Sequence, residues 1–244
     1  MRDRIRDPMV LTVLLTILPL SGCQPQSLED LRAEALEAYK EGDFQRSLEL
    51  YERAQDLVPP DLPHLHFDQA SCLIQLGDFD AALSACNTGI TKAEYYYGDP
   101  DAPEMAPHYY SRGITYDGSG RFEEAIADFE RAIALEPNTQ GVKNNLAWIL
   151  STCPDEAIRD PQRAVQLATE ECQRTAWPHP FALDTLAAAL AANGDFEQAI
   201  TIQQRAIELI TDDETFAEEL QSRLKLYEAG KPFIEPSEPQ PTHS

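Results

Sequence analysis

Apolar positions along this 244-residue chain fall into two regimes. From Met9 to Leu20 they form one run of about 12 residues. From residue 28 onward they recur at helical spacing, in pairs of short segments parted by glycine. The string Gly-Asp-Phe occurs at 42–44, 77–79 and 194–196, and Gly120-Arg121-Phe122 is a close variant. The four glycines lie 35, 43 and 74 residues apart, and 74 is two steps of 37. Such a period predicts repeated helix-turn-helix units. Each glycine is expected to end a first helix in the left-handed conformation it alone adopts cheaply. The following Asp can then accept from the free amides of the next helix. Phe44, Phe79, Phe122 and Phe196 are placed to fill the space between units, and Pro59 and Pro137 to stop second helices. A last helix is expected from Asp213 to Ala229, with Phe216, Leu220, Leu224 and Tyr227 as its apolar stripe, a charged opposite face, and Gly230 and Pro232 at its end.

The third unit carries the clearest motif. Tyr109-x2-Arg112-Gly113-x2-Tyr116, then Ala125-x3-Phe129, Ala132 and Pro137, resembles the tetratricopeptide repeat (TPR). Arg112 stands where Leu is usual and Tyr109 where Trp is. Unit one offers Ala35, Gly42, Ser47, Tyr51, Ala54 and Pro59; unit two, Ala70, Gly77, Ala82, Cys86 and Gly89; unit five, Leu186, Ala187, Gly194, Ala199 and Ala206. Small residues at fixed points let paired helices nest. Unit four is degenerate: Asn144 to Leu150, a turn over 154–161 longer by about five residues, then a helix from Gln162 to Arg174. There Glu171 sits where a small residue belongs. The resemblance implies an all-α fold, a TPR solenoid of about five helix-turn-helix units with a C-terminal capping helix. The units fall at about 28–61, 63–96, 106–139, 140–175 and 180–213, with the cap at 213–230 and a disordered tail at 231–244.

The early apolar run is too short to cross a membrane, which needs roughly 20 residues. With three arginines before it and Leu20-Ser21-Gly22-Cys23 after it, residues 1–22 read as a cleaved signal peptide resembling that of bacterial lipoproteins. Cys23 would then carry the lipid, and residues 23–27 a short tether. This implies export and anchoring in the bacterial cell envelope, facing the periplasm, with Gln24 leaning toward the outer membrane. Without residues 1–22 the formal charge is −24, against −23 for the whole chain. Such acidity argues against nucleic-acid binding and favours basic partners through association rate.

Catalytic signatures are absent from the sequence: no phosphate-binding glycine loop, no H-E-x-x-H, no G-x-S-x-G. No enzyme activity, metal or cofactor is expected. His64 and His66 diverge at i,i+2 on a helix, so sharing one ion with His108 is disfavoured. Asp99, Asp101 and Glu104 read as a solvated acidic loop. Cys72 and Cys86 are left as a disulfide or, preferably, two buried thiols. Cys153 and Cys172 lie about 15 Å apart along their helices, too far to join.

By resemblance, first helices line the concave side of the solenoid. The implied partner groove comprises Arg32, Leu36, Tyr39, Lys40, Phe67, Ser71, Ile74, Tyr110, Ile114, Asn144 and Trp148. Protein or peptide ligands with apolar or basic segments would suit it. Tyr95-Tyr96-Tyr97 is a second candidate surface. The carboxylate clamp of chaperone-binding TPR proteins maps to Arg32, Leu36, Asp68, Pro107 and Ser111; only the first is cationic, so that specificity is not carried over. The implied role is an envelope scaffold or adaptor. An assembly factor for outer-membrane or pilus machinery and, less favoured, an unrecognised enzyme are the alternatives.

Overall fold

In a computed structural model of the chain, residues 26–57, 63–174, 179–211 and 213–236 are described. The signal segment, Cys23, Pro59 and the tail beyond residue 236 lie outside them. The described residues hold eleven α-helices. In chain order these pair as α1 (Leu28–Lys40) with α2 (Phe44–Asp56), α3 (His64–Gln75) with α4 (Phe79–Tyr97), α5 (Ala106–Gly118) with α6 (Phe122–Leu135), α7 (Val142–Thr152) with α8 (Pro161–Arg174), and α9 (Pro180–Ala192) with α10 (Phe196–Glu208). The single helix α11 (Glu214–Glu228) follows, and a short 3₁₀ turn, Pro103–Met105, precedes α5.

The corner chemistry follows the repeated string. Gly42, Gly77, Gly120 and Gly194 have φ between +74° and +88°. At each corner the next residue's amide reaches back to the first helix at 2.9 Å: Asp43 to the Ala38 carbonyl, Asp78 to Leu73, Arg121 to Tyr116 and Asp195 to Leu190. The carboxylates of Asp43, Asp78 and Asp195 then accept from the amides of Arg46, Ala81 and Gln198. Arg121 has no such side-chain cap. Unit four makes the same closure across a longer span: the Asp160 amide donates to the Leu150 carbonyl at 2.9 Å, and Asp160 caps α8 through the Arg163 amide. Within the extra residues the Arg159 guanidinium donates to the Cys153 carbonyl at 2.7 Å.

Small-against-large packing fixes how closely helices approach. Gly113 of α5 faces Phe129 of α6, where an added Cβ would sit 2.5 Å from the ring. Ala35, Ala54, Ala82, Ala125, Ala132, Ala164, Ala187, Ala199 and Ala206 are fully buried. Arg112, the departure from the repeat motif, is matched by Asp128: the two form a bidentate pair at 2.7 and 2.8 Å, with Asn87 Oδ1 accepting at 2.9 Å. Glu171 is buried too, and its carboxylate accepts from Arg174 at 2.6 Å. Successive first helices α3, α5, α7 and α9 touch, so the stack curls with them inside.

Cys72 and Cys86 are both buried thiols. They face different neighbours. Cys72 Sγ donates to Ser47 Oγ at 3.3 Å, toward unit one, and Cys86 Sγ meets Thr115 Oγ1 at 3.5 Å, toward unit three. Cys172 Sγ points instead at the Ala182 carbonyl, away from Cys153.

Two expectations need correction. Helix α11 has Leu220 and Tyr227 buried as its stripe predicts, but Arg223 is buried between them. And residues 231–236, assigned above to a disordered tail, cross the concave face in contact with α7 and α11. Pro232 and Pro236 bracket that segment, and proline reduces the conformational entropy lost on ordering it.

Candidate functional site

The concave surface differs along its length. At the N-terminal end Arg32, Lys40 and Leu36 are exposed, Leu36 at 48%. Arg32 pairs with Asp68 at 3.8 Å and Lys40 with Glu37 at 3.6 Å. Tyr39 leans edge-on against Phe44. Ser71 is exposed, but its hydroxyl donates to the Phe67 carbonyl one turn back.

Four predicted groove residues are packing residues. Phe67 is buried, stacked on His108 at 4.4 Å and seated against Gly89. Ile74 and Ile114 pack on the core between units. Tyr110 lies over Phe129, and its hydroxyl accepts from Asn145 Nδ2 at 3.3 Å. They sit on the first helices of their units, and because those helices also touch each other, these side chains fill that seam.

Asn144 and Trp148 do line a recess. It has a volume of about 570 Å³ between α7, α9 and α11. Arg223 is its centre. Arg223 Nε donates to Asp184 Oδ1 at 3.0 Å, Gln203 Nε2 donates to the same oxygen at 2.8 Å, and Glu219 takes the other end of the guanidinium at 3.2 Å. Burial pushes the Asp184 carboxyl up, while Arg223 pulls it back. Thus anchored, the guanidinium carbon lies 5.4 Å from the Trp148 ring and 5.2 Å from the Phe233 ring. Cations at this distance from aromatic faces are attracted to them. Asn144 Oδ1 is buried without a hydrogen-bond partner.

Residues 231–236 form one side of the recess. Phe233 and Glu235 are partly buried while Ile234 and Pro236 are exposed, the two-residue alternation of an extended chain. Phe233 packs 5.8 Å from Trp148. Trp148 Nε1 donates to Glu235 Oε1 at 2.6 Å, and the Glu235 amide donates to the Thr152 carbonyl at 2.8 Å. That carbonyl ends α7, where the last turn leaves acceptors unsatisfied. Glu235 also lies near Asp117, whose carboxyl burial pushes up to about 7, with the Glu235 charge adding to it. Burial likewise raises Glu235, against the Trp148 hydrogen bond and the Arg223 charge.

The other candidate groups stand apart from this recess. Tyr95 and Tyr96 are exposed on the last turn of α4, and Tyr97 turns toward His108. His108 is buried against Phe67 and its imidazole is lowered to about 4 by desolvation. Asp101 pairs with Arg131, and Asp99 accepts from the Asp101 amide. No cluster of three potential metal ligands exists among the described residues.

Comparison with known proteins gives the class. Three tetratricopeptide-repeat models match residues 32–97, 106–139 and 182–211, together just over half of the chain. The chain belongs to the tetratricopeptide-repeat family, whose members are protein-interaction domains. Human FK506-binding protein-like is 24% identical over 126 residues, 49% of this chain and 34% of its own. Human RNA polymerase II-associated protein 3 is 26% identical over 134 residues, 55% of this chain and 19% of its own. The match therefore takes in only about a third and a fifth of these two relatives. Among solved structures, a thermophilic TPR protein of Thermus thermophilus aligns with a TM-score of 0.63 at 16% identity, over 83% of this chain and all of that one. The C-terminal part of a TPR protein from Cytophaga hutchinsonii aligns at 0.54 and 14% identity, over 81% and 71%. At such identities the likeness shows the fold alone.

Proposed function

We propose that this chain is a non-catalytic scaffold of the bacterial cell envelope that holds protein segments on the concave face of units three to five and the cap. The observation carrying it is the recess at Trp148 and Arg223, already occupied on one side by an extended stretch of chain. Aromatic and guanidinium groups on a rigid wall are the anchors that dominate peptide recognition. Lipidation of Cys23 would hold the scaffold at a membrane, outer rather than inner by Gln24. The short apolar run before Cys23 motivates that part, and among the described residues no helix is long and apolar enough to cross a membrane.

Two measurements test the two parts. Metabolic labelling with a clickable fatty acid should mark the wild-type chain and leave Cys23→Ser unmarked; an unlabelled wild type removes the anchor. A photo-crosslinking residue at Asn144 should capture protein in the native cell, whereas one at Ala127, exposed on the outer helix α6, should not. Equal capture at both positions would remove the groove from the function.

A further inference from the structure

The recess contains more than an empty groove: a segment of the chain sits in it, and its contacts describe what else would fit. Three are made by residues two apart. The Phe233 ring lies beside Trp148, and both rings approach the Arg223 guanidinium. The Glu235 carboxylate takes the indole hydrogen of Trp148 at 2.6 Å. The Glu235 amide takes the otherwise unmet carbonyl of Thr152 at 2.8 Å. These use a ring, a side-chain acceptor and a backbone donor, the groups with which an extended peptide binds any pocketed wall.

We infer that residues 231–236 act as a resident ligand that keeps this groove closed, and that the protein's partner is an extended segment with an aromatic residue followed two positions later by an acidic one, which binds by displacing them. The inference rests on the scaffold reading above. Beside the lengthened corner of unit four, Glu156, Arg159 and Pro161 line a second recess together with the exposed Pro232 and Ile234 of the segment.

The groove also offers a partner more than the resident segment takes. Beyond Phe233 the recess continues to Phe181 and Phe216, stacked at 4.2 Å, with Phe181 52% exposed. A longer segment that repeats the three contacts and also covers this aromatic ledge buries apolar area that the resident one leaves in water. That surplus is what displacement requires, because a ligand on the same chain acts at an effective concentration of the order of millimolar.

The test uses the full-length chain and a fluorescein-labelled hexapeptide, Lys-Pro-Phe-Ile-Glu-Pro, copied from residues 231–236. Binding is read by anisotropy to the wild type and to a Phe233→Ala/Glu235→Ala double variant, each checked for unchanged helicity by circular dichroism. The double variant, its groove unlatched, is expected to bind the peptide at least about tenfold more tightly, since apparent affinity scales with the open fraction. Adding Trp148→Ala to it should abolish that binding. Equal affinity for wild type and double variant, or binding that survives Trp148→Ala, overturns the inference. So does light scattering that finds a wild-type dimer turned monomer by the double variant, because the segment would then be docking between copies. If the peptide fails while Asn144 still crosslinks to protein in cells, the scaffold reading stands and only the resident-ligand inference falls.

Discussion

The two ends of this solenoid are built from one repeat and treat their inner surface in opposite ways. In units one and two the corners are tight turns at Gly42 and Gly77, and no chain segment covers the inner face beside them among the described residues, with Leu36 half exposed and Arg32 joined to the half-buried Asp68 at 3.8 Å. In unit four the corner is opened by extra residues, and the inner face from Trp148 to Arg223 is partly covered by residues 231–236. Regular corners make stackable units; the irregular corner makes a place for something to sit. Departures from the motif at Arg112 and Glu171 are absorbed into packing by Asp128 and Arg174, whereas the one at the unit-four corner lies beside the covered face.

The sharpest break of this contrast is at the two ion pairs. Arg223 and Asp184 are 9% and 5% exposed, whereas Arg32 and Asp68 are 44% and 34%. Asp184→Ala leaves the buried Arg223 guanidinium with only the exposed Glu219 and removes one of the two acceptors of Gln203, which should cost about 3–5 kcal/mol. Asp68→Ala removes a loosely spaced pair whose half-buried carboxylate is already disfavoured by burial, and should cost at most about 1 kcal/mol. Urea unfolding of both variants, followed by circular dichroism, checks the ratio. Similar losses would mean that the C-terminal polar cluster is not the anchor described here.

Next in size are the glycines. Gly113→Ala drives a methyl to within 2.5 Å of the Phe129 ring, backed by fully buried neighbours, and should cost about 1–3 kcal/mol by overpacking. Gly77→Ala meets nothing within 4 Å and has only its φ of +77° to contend with, about 1–2 kcal/mol. The same denaturation series measures both. A larger loss at Gly77 would show that corner conformation outweighs helix contact in setting the stack.

These cases show how far the chain's order could be read without coordinates. The corners were legible because Gly-Asp-Phe states a whole mechanism in three residues: a left-handed stop, an amide cap and a ring that packs. The pairing of Arg112 with Asp128 was half legible, since Arg112 broke the motif but its partner sits 16 residues on, in a different helix. The groove was the least legible part. Helical spacing identifies inner helices but cannot separate a side chain in the seam, such as Phe67 or Tyr110, from one facing the open channel, such as Trp148. The segment 231–236 was hidden by its composition, two prolines among polar residues, which reads as disorder. The available signal was Phe233-Ile234 in that setting: two apolar residues between prolines, with Phe233 and Glu235 on one side of an extended chain.

The smallest expected effect is confined to that segment and depends on pH. Glu235 faces Asp117 of α5, the Trp148 indole and the Cys153 thiol around α7, and Arg223 of α11. Burial holds both carboxyls above their ordinary values, and the Glu235 charge adds to it at Asp117, which is pushed up to about 7. A raised acid favours the docked state while protonated. Its contribution is therefore complete below the ordinary carboxylate range near pH 4 and is lost as pH rises through about 7. Arg223 offsets part of the repulsion by favouring the ionised form of Glu235. The segment should accordingly be held more loosely at pH 8 than at pH 6. Hydrogen exchange of the Glu235 amide, corrected for its intrinsic pH dependence, reads this at the bond to Thr152. Asp117→Asn should remove most of the difference while leaving exchange elsewhere in α7 unchanged. Tighter protection at pH 8 than at pH 6 would reverse the sign, and would make Arg223, rather than the two facing acids, the group that governs how the segment is held.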